Sequence, residues 1–133
     1  IYGIDKILEG NDCLILCLGN KVNDCIKTSK ELKNNNISAS IINLNKVKPI
    51  DSISLSNIIS KYKYVFSVEE NISSGGLNEL ISKIILENNI DTKYTYYSLP
   101  NEFIQGGSHE ELSKKYELDS VSLAKKISSK INK

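Results

Sequence analysis

The chain contains no arginine, no methionine and no tryptophan, and only one histidine and two prolines. All 17 basic residues are lysines, set against 16 acidic ones. A net charge of +1 gives no electrostatic basis for nucleic-acid binding. Without a guanidinium fork the domain also lacks the usual tool for bidentate phosphate recognition. No apolar run approaches the roughly 18 residues that would span a bilayer, and no signal-peptide pattern occurs. The first residue is isoleucine, so we expect residues 1–133 to be one domain cut from a longer chain.

Three cysteines are present, Cys13, Cys17 and Cys25. None forms a C-x-x-C pair, and His109 is distant in sequence, so a zinc site is not expected. The first two cysteines bracket an apolar run, and the third falls on a helical stripe. They read as buried reduced thiols of a cytoplasmic protein. Other motifs are missing as well. Gly19 stands alone where a dinucleotide fold would carry G-x-G-x-x-G, and neither a Walker loop nor a G-x-S-x-G elbow occurs.

What is present is an alternation of strand and helix patterns. Ile4 to Leu8 is a short strand, polar enough for an edge. Cys13 to Leu18 is apolar throughout, as expected of a strand buried on both faces. Val22, Cys25, Ile26, Ser29 and Leu32 recur at helical spacing, predicting a helix over residues 20–33 that ends in three asparagines. Ile37 to Leu44, Tyr62 to Val68 and Lys93 to Leu99 are further strands. Asp51 is placed to cap a helix with Ile53, Leu55, Ile58 and Ile59 on its apolar face. A helix opening at Gly75-Gly76 buries Leu77, Leu80, Ile81, Ile84 and Ile85. Ser108 to Glu111 matches a capping box for a short helix to Tyr116, with His109 a solvated first-turn residue. Asp119 caps a terminal helix carrying Val121, Ala124, Ile127 and Ile131. Such an alternation predicts a largely parallel sheet covered on both faces: a three-layer α/β/α domain.

Ligands of open α/β sheets sit beyond the carboxyl ends of the strands. Two segments fall there: Gly19-Asn20-Lys21, and Glu69-Glu70-Asn71 with Gly75-Gly76 behind it at a helix N-terminus. By residue chemistry alone the second is either a ligand or interface loop, or a capped strand-to-helix connection. Gly106-Gly107-Ser108 is either an anion nest or a permissive turn.

Several motifs occur in a fixed order: Lys48-Pro49-Ile50-Asp51, Val68-Glu69-Glu70-Asn71 with Gly75-Gly76-Leu77, and Leu99-Pro100-Asn101-Glu102-Phe103-Ile104. Gly107-Ser108 and Glu110-Glu111-Leu112 follow. This set resembles the C-terminal domain of the thiamine-diphosphate-dependent transketolase family across nearly the whole chain. The tail, with Leu118-Asp119, is most similar to the family's synthase branch. That branch joins pyruvate-derived hydroxyethyl thiamine to glyceraldehyde 3-phosphate with release of CO2. The runners-up are the C-terminal parts of split transketolases and of 2-oxoacid dehydrogenase β subunits. A regulatory small-molecule-binding module on the same plan is the alternative of another class. Departures include Asn78 and Glu117, where the family commonly has glycine.

The resemblance implies a mixed five-stranded sheet of order 1-3-2-4-5 with strand 1 antiparallel. It implies a homodimeric parent enzyme whose thiamine diphosphate and magnesium lie in other domains, since neither the G-D-G motif nor the catalytic glutamate is here. No catalytic, cofactor-binding or metal residue is therefore assigned. Gly19, Asn20, Lys21, Glu69, Glu70, Asn71, Gly75 and Gly76 form the expected interdomain edge. There Glu69 or Glu70 should meet a lysine, with Lys21 the nearest, or a backbone N–H cluster, or another domain.

Overall fold

The computed structural model describes residues 3–18, 21–45, 50–70, 76–98, 111 and 114–132. Five strands form one sheet: β1 (Ile4–Leu8), β2 (Cys13–Leu18), β3 (Ala39–Leu44), β4 (Tyr64–Val68) and β5 (Lys93–Tyr97). Their order is β1-β3-β2-β4-β5. β1 pairs antiparallel to β3, and the other pairings are parallel. The topology expected from the resemblance is thus the one observed, with the apolar β2 central and the polar β1 at an edge.

Four helices have their bounds within the described residues: α1 (Val22–Lys33), α2 (Ser52–Ile59), α3 (Leu77–Glu87) and α4 (Ser120–Ile131). Parallel crossovers are right-handed, so the direction of each step across the sheet fixes the face its helix covers. The step from β2 to β3 runs one way, and the steps from β3 to β4 and from β4 to β5 run the other. α1 must therefore lie opposite α2 and α3. The core divides accordingly. Cys13, Ile15 and Cys17 of β2 pack with Cys25 and Leu32 of α1 and with Leu123 and Ile127 of α4. Leu14 and Leu16 point the other way, towards Leu55 and Ile59 of α2 and Ile81 and Ile84 of α3. The period-2 alternation of a strand divides these residues between two cores, which is why every side chain from Cys13 to Cys17 is apolar and buried.

Local chemistry sets the ends of the elements. Asp51 caps α2 as expected, its carboxylate accepting the amides of Ile53 and Ser54 at 3.1 Å each. Asp119 caps α4 through the Ser122 amide. Asn36 closes α1's C-terminal turn in the left-handed region, at φ 61°. Gly10 crosses so close to β3 that an added methyl would lie 2.6 Å from the Ala39 carbonyl carbon. The Gly10 amide and carbonyl are both held by the Ser40 hydroxyl.

Several elements are shorter than the sequence pattern suggests. Ile37 is buried but precedes β3, Tyr62 and Lys63 precede β4, and β5 ends at Tyr97. Apolar character marks burial, and burial continues past the last ladder bond. Two helical positions are corrected. Ile53 is 77% exposed and Val121 51% exposed. Each stands two residues, about 200° of helical turn, from a buried leucine, Leu55 or Leu123, and so lies off the buried stripe. Lys48 and Pro49 lie outside the described residues, as does most of the capping box, including His109. Glu111, Lys114 and Lys115 are helical, as the short helix requires.

Candidate functional site

β2 and β4 are adjacent, yet the chain leaves β2 towards β3 on the opposite side. The gap between them is the topological switch point, where the carboxyl ends of an open sheet form a crevice. Of the residues expected there, Lys21, Glu69, Glu70 and Gly76 are described. Gly19, Asn20, Asn71 and Gly75 lie outside the described residues.

Glu69 leaves the end of β4 with its amide bonded to the Tyr97 carbonyl at 3.0 Å. The residue is only 3% exposed. A buried carboxylate requires donors, and α3 provides them. The amides of Leu77 and Asn78 point at its two oxygens, at 2.9 and 3.4 Å. These are orphan donors of a helix N-terminus, where the macrodipole also favours negative charge. Gly76, the residue before α3, makes this possible: a methyl there would lie 2.6 Å from Glu69 Oε1 and 2.9 Å from Oε2. The acid and the glycine, seven positions apart, are two halves of one cap. Of the three partners expected for a buried carboxylate at this edge, Glu69 meets the backbone N–H cluster.

Lys21 is fully buried at the start of α1. Its ammonium lies 2.9 Å from Asp24 Oδ2 and 3.2 Å from the Leu118 carbonyl oxygen. It thereby ties the β2–α1 turn to the segment entering α4, 97 residues away. Thr28 makes a second tie, donating to the Asp24 carbonyl at 2.8 Å and lying 3.3 Å from the Ser120 carbonyl. Lys21 stands on this edge as its position in the sequence predicts, but its partners there do not follow from the sequence pattern. Leu118 and Ser120 contribute backbone oxygens, which carry no signature in sequence.

Behind the cap runs a polar chain that the sequence also concealed. Tyr94 of β5 donates to Asn78 Oδ1 at 3.0 Å, so the Ser67 hydroxyl, 2.7 Å from the phenol oxygen, donates to Tyr94. Ser82 completes it at 3.2 Å from Asn78 Oδ1. Burial is the main force raising the Tyr94 phenol above its ordinary pKa, so the ring stays neutral and the chain stays a set of neutral hydrogen bonds. Asn78 thus joins the cap of α3 to β5.

These features define a class: a three-layer α/β domain whose switch-point edge is locked by internal contacts. The chain matches the family model "Transketolase, C-terminal domain" over residues 4–123, and it belongs to that family. It is 34% identical over 126 residues to a 1-deoxy-D-xylulose-5-phosphate synthase of Dictyoglomus thermophilum, covering 94% of this chain and 20% of that protein. It is 35% identical over 133 residues to a putative transketolase C-terminal section of Methanocaldococcus jannaschii, covering 98% of this chain and 41% of that one. Among solved structures, a split-gene transketolase described as an inactive β4 tetramer superposes with a TM-score of 0.81 at 19% identity, over 97% of this chain and 42% of that one. Campylobacter jejuni transketolase superposes at 0.65 and 16% identity, over 96% of this chain and 18% of its own. At these identities the two structures speak to the fold alone. The chain spans about a fifth of the synthase it matches.

Proposed function

We propose that this chain is the C-terminal assembly domain of a thiamine-diphosphate-dependent 1-deoxy-D-xylulose-5-phosphate synthase. The parent would join pyruvate and glyceraldehyde 3-phosphate to give deoxyxylulose 5-phosphate and CO2, supplying isoprenoid precursors. The edge between β2 and β4 would dock against the parent's other domains or its second subunit. Similarity to the synthases over nearly the whole chain supports the choice of parent. A transketolase parent is the second reading, favoured by the archaeal C-terminal section of comparable identity.

One observation carries the assembly role. Lys21 and Glu69 are the two buried charged residues among those described, and both are engaged within the domain. A substrate site needs polar groups aimed at the ligand, whereas this edge has its buried charges turned to Asp24, the Leu118 carbonyl and the α3 amides of its own domain. No catalytic step is assigned here, and the cofactor belongs to the rest of the parent in this reading.

Glu70, half-buried, follows Glu69 at the carboxyl end of β4. In the full-length parent, Glu70→Ala should lower the oligomeric state or the melting temperature while the KM for pyruvate stays within about twofold. A variant that keeps its assembly and melting temperature but loses turnover would make this a catalytic loop. Supplying the purified parent with pyruvate and glyceraldehyde 3-phosphate, against a ketose donor and aldose acceptor, separates the two parents.

A further inference from the structure

The sheet is unevenly covered on the α1 face. α1 packs on β2 and β3, and α4 packs against α1 with Leu123 and Ile127 in the cluster that holds Phe66 and Val68 of β4. Among the described residues, no helix packs on β1 to a comparable extent. The result is a groove of about 630 Å³ between α1 and the end of β1, at the amino ends of the parallel strands and so away from the switch-point edge. Its apolar surface comes from Leu8, Ile26, Ile37 and Ala39. Leu8 remains 42% exposed, a large apolar side chain at the strand end.

Lys30 and Lys33 also line the groove, three residues apart and hence on one side of α1. Neither has a carboxylate partner among the described residues. The one acid in the lining, Glu9, is already matched by Lys6 at 2.7 Å. The groove therefore joins an apolar floor to two cationic groups lacking counter-charge. Its volume lies within the roughly 300–1,000 Å³ typical of small-molecule sites.

From this geometry we infer that the groove binds a small amphipathic anion, a carboxylate on a hydrocarbon body. The hydrocarbon would cover Leu8, Ile26, Ile37 and Ala39, and the carboxylate would lie between the two ammonium groups. Apolar contact and charge each contribute, so removing either should weaken binding.

The test is a titration of the ¹⁵N-labelled chain with octanoate, followed by amide shifts. Octylamine (the same tail with a cationic head) and acetate (the same head without the tail) are the controls. The expected result is saturable shifts confined to residues 8–9, 26–33 and 36–39, with a Kd at or below about 1 mM. Both controls should bind at least about threefold more weakly. The double variant Lys30→Gln/Lys33→Gln, and separately Leu8→Ser, should each weaken octanoate by about threefold to tenfold while the spectrum stays dispersed. Absence of saturable shifts, shifts centred elsewhere, equal binding of octylamine, or undiminished affinity in the double variant would each overturn the assignment.

Discussion

The pairing of Glu69 with Gly76 makes a prediction that separates cause from correlation. Gly76 has φ −83° and ψ −163°, a backbone conformation open to any residue. The three atoms nearest an added methyl all belong to the Glu69 carboxylate. Gly76→Ala should therefore destabilise by about 1–3 kcal/mol through overpacking. Glu69→Ala should cost a similar amount, about 1–3 kcal/mol, by stranding the α3 amides. In the Glu69→Ala background the alanine at position 76 should cost less than about 0.5 kcal/mol, since the clash is gone. A double-mutant cycle by urea unfolding reads the coupling, and additive costs would refute the shared cap. Glu117 supplies a second residue-scale prediction. Its φ of 57° places it in the left-handed region, where a glycine would relieve about 0.5–1 kcal/mol. Against this stands its ion pair with Lys126 at 3.2 Å, largely solvent-exposed and worth a few tenths. Glu117→Gly should then raise the melting temperature by about 1–4 °C, and a clear fall would show that the pair outweighs the strain.

At the scale of elements, α2 shows how a short helix depends on its first residue. It has eight residues, two of them fully buried, too little apolar face to nucleate alone. The Ser54 amide and hydroxyl, with the Ile53 amide, hold the Asp51 carboxyl below its ordinary pKa. A depressed folded pKa means that the cap's contribution is complete above the ordinary carboxylate value of about 3.9. It is lost as pH falls through that value to the lower folded one. Asp51→Asn, which retains an accepting oxygen but cannot titrate, should flatten the acid limb of the stability profile relative to wild type. An unchanged limb in pH-dependent melts would remove Asp51 from the account.

For the whole molecule, the sheet order dictates where protection concentrates. β2 is paired on both sides and buried on both faces, whereas β1 pairs only with β3 and exposes four of its five residues. Amide exchange should be slowest in residues 14–17 and fastest in β1, the latter through sub-global opening. The thiols report the same property chemically. Cys13, Cys17 and Cys25 are all buried and free. Burial, with Asp12 nearby, pushes the Cys13 thiol up to about 12, and contact with Cys17 together with burial raises Cys25 well above the usual range. Since the thiolate is the nucleophile, alkylation by iodoacetamide at pH 8 should proceed only at the rate of unfolding. Rapid labelling of native protein would contradict the packing of β2 against α1 and α4.

Much of the fold was legible because it depends on local rules. The unbroken apolar run of β2, the helical spacing on α1 and α3, and the caps at Asp51 and Asp119 each act within a few residues, and each stands where the sequence places it. The edge loops at Lys21 and Glu69 were legible as positions, because strand ends fall where apolar runs stop. Their chemistry was not, since a carboxylate at a strand end reads alike whether it faces a ligand, a lysine or a helix terminus. Folding set it against α3's amides and brought the Leu118 carbonyl over Lys21, contacts spanning 8 and 97 residues. The groove beside β1 belongs to the same category. It lies between α1 and the end of β1 and is lined by residues as far apart in sequence as Leu8 and Ala39, a consequence of topology that no single residue records.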